Sequence, residues 1–430
     1  MTTKGMMNKR SFCRLMLMAA TMSAALSACK TELYDEKEYT DYINSMSPVD
    51  SIDQQHQWEL TTDYRLTLTA NAGSDMDQVQ VYTANPLTDK SAELMNQQTI
   101  SDGSTVSLTV SAPTALQTMY AALVDANKHC YVKAFSAGQT EVDFTGATEG
   151  QLLSNLRVQT FTYLYEEGMP EVDDYDYNDL VLRLTTERTG AREITMSVTI
   201  EAVGASRQLA GAIRLLGYQY ADIDSVSIAT ALDFNEGVPQ GSLFVFDKTE
   251  NLLEGRNGEA VVNLFIDAHW AIDTYQASID GLFMRQKYNV STGSGNGFQQ
   301  TVSPTQKYVI HFKSEAGLND FTLNSLDPFI ITEYNSGRWE AHMDHLRNAQ
   351  VLFEYKLSDT KKLPWALKVP MRNFRYPLEG YPIGYKKRSD GGSSIIYGAY
   401  MRQGYSFGEW AEDHTRFLDW YLYPNTAYVK

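Results

Sequence analysis

Residues Glu166 to Asp179 crowd oxygen donors into one short run, Glu-Glu-Gly-Met-Pro-Glu-Val-Asp-Asp-Tyr-Asp-Tyr-Asn-Asp. Asp174, Asp176 and Asn178 stand two residues apart and Asp179 follows at once. Glu166 and Glu167 arrive from the end of a β-prone segment. Calcium takes six to eight oxygen ligands from carboxylates, amides and backbone carbonyls. Carboxylates packed this closely repel one another, and a cation relieves that repulsion. The run therefore reads as a calcium site with Glu166, Glu167, Asp174, Asp176, Asn178 and Asp179 as candidate ligands. A second reading needs no metal: Asp and Asn side chains accept from nearby backbone amides and hold tight turns. A catalytic carboxylate pair is a third. The run is not an EF-hand, because Asp179 stands where that loop needs Gly and Thr185 where it needs the closing Glu.

Other residues offer less. His342, Asp344 and His345 could bind zinc with a further ligand from elsewhere. Strand spacing would put His342 and Asp344 on one face and turn His345 away, and a His342 hydrogen-bonded beside Glu340 is the plainer reading. Trp365, Trp410 and Trp420, with Tyr421, could stack on sugar rings, but their apolar neighbours read as core. The glycines of 291–297 lack the strand-and-helix context of a nucleotide fingerprint. No nucleophile elbow, phosphate loop or His-Glu-x-x-His helix occurs in the sequence. A non-enzymatic role is expected, with a glycan-processing enzyme using carboxylates near the acidic run as the alternative.

The elements that must position these residues are strands. Tyr64 to Thr69, Val79 to Tyr82, Thr105 to Val110, Met119 to Val124 and Tyr131 to Phe135 are short β-runs, the first ones alternating apolar and polar residues, with turn signals between them. They predict an N-terminal β-sandwich over 58–148. From Leu152 a second set begins. Val158 to Tyr165 leads into the acidic run, Leu180 to Leu184 leaves it, and Ile194 to Ile200 alternates strictly. Later candidates include Ser225 to Ile228, Leu243 to Phe246, Val261 to Ile266, Tyr308 to Phe312, Phe329 to Ile331 and Val351 to Tyr355. Arg207 to Leu216 is ambiguous between strand and short helix, and helices are predicted around Tyr397 to Tyr405 and over Ser406 to Asp413. With 430 residues and 27 tyrosines, the expectation is a mainly β protein of two β-sandwich-like domains. The C-terminal one, 152–425, is larger and carries minor helices.

The first 28 residues read as a targeting segment: Lys4, Lys9, Arg10 and Arg14, then an apolar stretch from Leu15 to Leu26 too short to span a bilayer. Leu26-Ser27-Ala28-Cys29 resembles the lipobox of bacterial lipoproteins. The resemblance implies cleavage before Cys29, acylation of Cys29 and a lipid anchor in the outer membrane, with the flexible acidic tether 29–57 pointing to cell-surface exposure. Removing 1–28 takes away four basic and no acidic residues, so the net charge moves from −17 to −21. Such a chain repels nucleic acid. Cys130 would then lack a disulfide partner and serve as a small buried hydrophobe.

The run from Tyr165 to Leu182 resembles the LruC-domain family of bacterial surface lipoproteins. Tyr165-Glu166-Glu167 stands at its opening and Asp174 to Asp179 in its second half. Asp327-Pro328-Phe329, Arg338-Trp339-Glu340, Leu363-Pro364-Trp365, Phe374-Arg375-Tyr376-Pro377 and Phe407-Gly408-Glu409-Trp410 follow in the family's order. The resemblance spans roughly 60–425 and implies a secreted or lipid-anchored protein without known catalysis. The expected function is surface binding or adhesion, calcium-stabilised, toward a glycan or surface protein; a structural envelope or matrix component is a further alternative.

Overall fold

The chain is mainly β. A computed structural model describes residues 47–49, 51–168, 174–238, 252–273, 277–279, 282–291, 298–299, 302–334, 337–343, 345–348, 353–356, 363–387, 395–401 and 406–430. The expected signal segment 1–28, Cys29, most of the expected tether, the strand candidate Leu243 to Phe246, Asp344, and the glycines at 293, 295 and 297 lie outside the described residues. Ser47–Lys430 forms one unit.

The N-terminal strands build a sandwich. Thr105–Pro113, Thr61–Thr69 and Glu141–Asp143 form one sheet. The other has six strands, with Thr118–Val124 and Gln78–Tyr82 at its centre. Alternation seals the space between them with Leu66, Leu68, Val79, Val81, Leu108, Val110, Met119 and Leu123, all fully buried. Glu93–Thr99, which pairs with Gln78–Tyr82, carries no legible β-signal because Asn96, Gln97 and Gln98 occupy its centre. Asn96 donates to Thr109 O at 2.7 Å, and Gln98 accepts from Arg188 at 2.6 Å, so these amides pair with groups outside their own strand. Cys130 is buried in this sandwich, and burial pushes its thiol up to about 11, so it is not a reactive nucleophile.

Two larger sheets follow. Phe161–Tyr165 pairs with Leu180–Gly190 on one side and Ala366–Val369 on the other, inside a six-stranded sheet. Glu193–Ala202 alternates as its sequence predicts, burying Ile194, Met196, Val198, Ile200 and Ala202. A seven-stranded sheet faces it, and Arg207 to Leu216 resolves into part of that sheet as the strand Ala210–Gln219. This strand pairs with Glu259–Phe265 and Leu326–Tyr334, and tertiary pairing decides what local propensity left ambiguous. Ser406–Glu412 is helical as expected, whereas Tyr397 ends the strand Ile395–Tyr397.

Around Phe161–Tyr165, Ala366–Val369 and the start of Leu180–Gly190 the six-stranded sheet is buried on both faces, which positions everything that follows. Tyr163, Tyr165, Leu180 and Leu182 face the core shared with the seven-stranded sheet. Leu164, Val181, Leu367 and Val369 face an aromatic layer of Phe374, Tyr376, Tyr400, Phe407, Trp410 and Trp420. The N-terminal strap reaches that layer too, through Trp58 and Leu60. His56 stacks on Trp58 at 4.0 Å and meets the edge of Trp410 at 4.5 Å. Trp58 N–H donates to His56 Nδ1 at 2.9 Å, so the ring proton sits on Nε2 and donates to Trp410 O at 3.0 Å.

Burial pushes the His56 pKa down to about 4, below its ordinary 6.5. The unfolded chain therefore binds more protons between those values, and stability falls as pH drops from about 6.5 to 4. The loss is up to about 3 kcal/mol. Urea denaturation at pH 7 and pH 4.5 should show a larger drop for the native sequence than for His56→Gln; equal drops would remove His56 from the account.

Candidate metal centre

The acidic run leaves the sheet at the end of Phe161–Tyr165 and rejoins it at Leu180. Glu166 prolongs strand pairing, its N–H donating to Trp365 O at 2.9 Å. Between Asp174 and Asn178 the backbone alternates in hand. Tyr175 has φ 60° and Tyr177 φ 54°, a left-handed conformation that bulky residues avoid. Strain of this sort persists only where surrounding structure enforces it. Here the two tyrosine rings are fixed in the aromatic layer. Tyr177 is fully buried and its hydroxyl donates to Pro364 O at 2.6 Å, while Tyr175 O accepts from Ile383 N–H at 2.8 Å.

The six predicted ligands divide into two groups. Glu166, Asp174 and Asp176 converge, each offering a carboxylate oxygen within 4.8 Å of the others. Glu166 and Asp176 are buried and Asp174 half-buried. Glu166 also accepts from Tyr177 N–H. Asp176 accepts from Asn178 N–H at 3.1 Å through Oδ1 and from Gly380 N–H at 2.6 Å through Oδ2.

The remaining three hold turns. Glu167 accepts from Ser206 N–H and hydroxyl, both at 2.7 Å, and from Arg207 N–H at 2.9 Å. Asp179 accepts from Glu167 N–H at 2.6 Å. Asn178 donates to Pro377 O at 3.2 Å, and its backbone carbonyl accepts from Gly204 N–H at 2.9 Å. Gly204 approaches so closely that a Cβ there would lie 2.1 Å from Asn178 Oδ1, so only glycine fits. The turn-holding reading thus describes half of the predicted set, and the convergent half retains the geometry of a cation site.

The electrostatics of that half are costly. Burial drives the Asp176 pKa well above the ordinary carboxylate value, Asp174 adds repulsion, and Glu379 adds more. The hydrogen bonds from Gly380 and Asn178 work the other way without offsetting it. Lys287 is the nearby cation. Burial opposes its charge, yet its ion pair with Glu379 and the fields of Asp179 and Asp176 hold its pKa up. The carboxylate group therefore needs either a proton or a bound cation to become comfortable.

The other candidates resolve differently. His342 Nδ1 meets Asp327 at 2.8 Å and Nε2 meets Glu340 at 3.5 Å, and the ring stacks on His345 at 4.4 Å. Arg214 also reaches Asp327, at 2.7 Å, and Arg347 makes a two-pronged pair with Glu259 at 2.8 and 3.1 Å. His342 is thus a member of a buried ion-pair network, the plainer of its two readings. Trp365, Trp410 and Trp420 are 6%, 0% and 0% exposed and offer no face to a sugar ring. Their apolar neighbours already pointed to core.

Sequence reasoning missed Gly380 and Gly204, the backbone partners of the loop. Both lie far along the chain, and only the fold brings them to it. It also missed Asp53, Asp413 and His414, which form the second cluster of close ligand atoms among the described residues. No helix among the described residues is long and apolar enough to cross a membrane.

Residues 191–387 match a domain family described as a domain of unknown function (DUF4842). That stretch is less than half of the chain and starts after the acidic run, although Gly204, Ser206, Arg207 and Gly380, which receive the run, fall inside it. No curated protein matches the sequence. Among solved structures, the crystal structure of a putative lipoprotein from Bacteroides ovatus is similar, with a TM-score of 0.49 and 16% identity over 83% of this chain and 99% of that one.

Proposed function

We propose that the chain is a lipid-anchored surface protein of LruC type, a non-enzymatic binding or adhesion module whose acidic loop is closed by calcium. The observation that carries the calcium reading is the convergence of Glu166, Asp174 and Asp176 on one buried point. Their donors are all hard oxygens, which suits calcium and not zinc. A cation there would neutralise the repulsion on Asp176 and tie the strained loop to the end of strand Phe161–Tyr165. The hydrogen bonding of the loop's carboxylates favours holding over turnover. Glu167 and Asp176 each accept from backbone amides through both oxygens, which withdraws them from proton exchange with a substrate.

The anchoring half of the proposal rests on the lipobox-like Leu26 to Cys29 and the acidic segment after it. The ligand would be a glycan or a surface protein recognised on exposed sheet faces. Membrane fractionation tests the anchor. The native chain should sediment with outer membranes, and Cys29→Ser should move to the soluble fraction. Equal distribution of the two would refute lipid anchoring at Cys29. Calorimetric titration of metal-stripped protein should find one calcium per chain at the acidic loop, a signal that Asp176→Ala removes.

A further inference from the structure

We propose that the crossing of the N-terminal strap and the C-terminal helix is a second metal site, for a zinc-class divalent cation held by Asp53, Asp413 and His414. Asp53 lies in the last part of the segment 29–57 expected to be a flexible tether, which is here a strap bonded to the C-terminal helix and leading into the first strand. Asp413 and His414 directly follow the helix Ser406–Glu412. One ligand atom from each of the three lies within 4.8 Å of the others, and all three residues are half-buried.

The backbone already fixes the crossing. Asp53 N–H donates to Ala411 O at 2.8 Å, and His56 donates to Trp410 O at 3.0 Å. Two segments far apart in sequence are thereby held in register without help from the candidate ligands' side chains. Those side chains then meet. His414 Nδ1 bonds Asp53 Oδ2. Asp53 uses Oδ1 for Gln55 N–H at 2.9 Å, and Asp413 uses Oδ1 for Thr415 N–H at 3.0 Å and its hydroxyl at 2.6 Å.

The donor chemistry separates this site from the acidic loop. One imidazole and two carboxylates suit zinc and its first-row neighbours, and the two acids match the charge of a divalent ion. His414 is 40% exposed on its side chain, so water can complete the coordination. The carbonyl end of the helix adds a weak field of the right sign. Arg416 is the opposing charge; it reaches Glu409 at 3.8 Å and is 56% exposed, free to stay in solvent. A cation here would staple the segment nearest the anchor to the C-terminal aromatic layer. This goes beyond the calcium proposal and does not depend on it.

Melting and calorimetric titration of the full chain, stripped of metal and given zinc chloride, test the site. The expected result is one zinc at this position and a raised melting temperature. Asp413→Asn keeps the Asp53–His414 bond and should weaken zinc binding about tenfold or more, with loss of the thermal shift. His414→Gln, which removes the imidazole ligand, should do the same. Asp174→Asn in the acidic loop should leave the zinc response intact. No zinc-induced shift in the native sequence, or a shift of equal size in Asp413→Asn and His414→Gln, would overturn the proposal.

Discussion

Alanine at Tyr177 is expected to destabilise the protein by about 3–5 kcal/mol, the range for deleting a large buried aromatic side chain. The ring is fully buried, and its loss opens a cavity between the strand ends and the aromatic layer. The hydroxyl bond to Pro364 O disappears as well. Tyr177→Phe separates the two contributions. It keeps the ring and should cost only about 1–2 kcal/mol, the net value of one buried hydrogen bond. The alanine variant has a second consequence. The left-handed backbone at residue 177 persists because the ring pins it, so loss of the ring should let Asp176 and Asn178 drift from Gly380 and Gly204. Calcium binding should then weaken together with stability. Denaturant unfolding of the three proteins, with and without calcium, checks both effects; a Tyr177→Ala protein as stable as Tyr177→Phe would contradict the anchoring role.

The strands were legible because one face of each is apolar with period two. Ile194 to Ile200 and Leu66 to Leu68 declare themselves this way, and their burial follows the pattern. Glu93–Thr99 escaped because its middle amides bond outward, which gives a strand a polar centre. Ala210–Gln219 was ambiguous because it is apolar over both faces, and a central strand buried on two sides has no periodicity to read.

The acidic run was legible as chemistry but not as geometry. Residue spacing showed six oxygen-bearing side chains without showing which would meet. Backbone hand decides that. The left-handed turns at Tyr175 and Tyr177 leave Asp174 and Asp176 facing Glu166, while the Glu167 carboxylate turns to Ser206 and Arg207 and that of Asp179 to the Glu167 amide. Bulky residues in that conformation are not predictable from local sequence, since the cost is met by contacts more than a hundred residues away. The same holds for the Asp53, Asp413 and His414 cluster, in which only the fold brings Asp53 to the adjacent Asp413 and His414.

Asp174→Asn should stabilise the protein without calcium and blunt its response to calcium. In chelator it removes one of the like charges pressing on Asp176, and should stabilise by about 1–3 kcal/mol. The sign follows from the Asp176 shift. Its folded pKa lies above its unfolded value, so the folded state loses stability as pH rises through the carboxylate range and the deficit is present at pH 7. In calcium the native sequence gains the binding energy instead, about 2.7 kcal/mol at a hundredfold excess over the dissociation constant. For a unit of this size that is a rise of roughly 3 °C. The asparagine variant has one ligand charge fewer and should gain little.

The decisive measurement is therefore a set of melting curves at pH 7 for metal-stripped native protein and Asp174→Asn, each in calcium and in chelator. The native protein should melt higher in calcium, the variant should melt higher than the native protein in chelator, and calcium should hardly move the variant. Native protein melting at the same temperature in calcium and in chelator would contradict the calcium site, leaving the acidic run as a turn and nothing more.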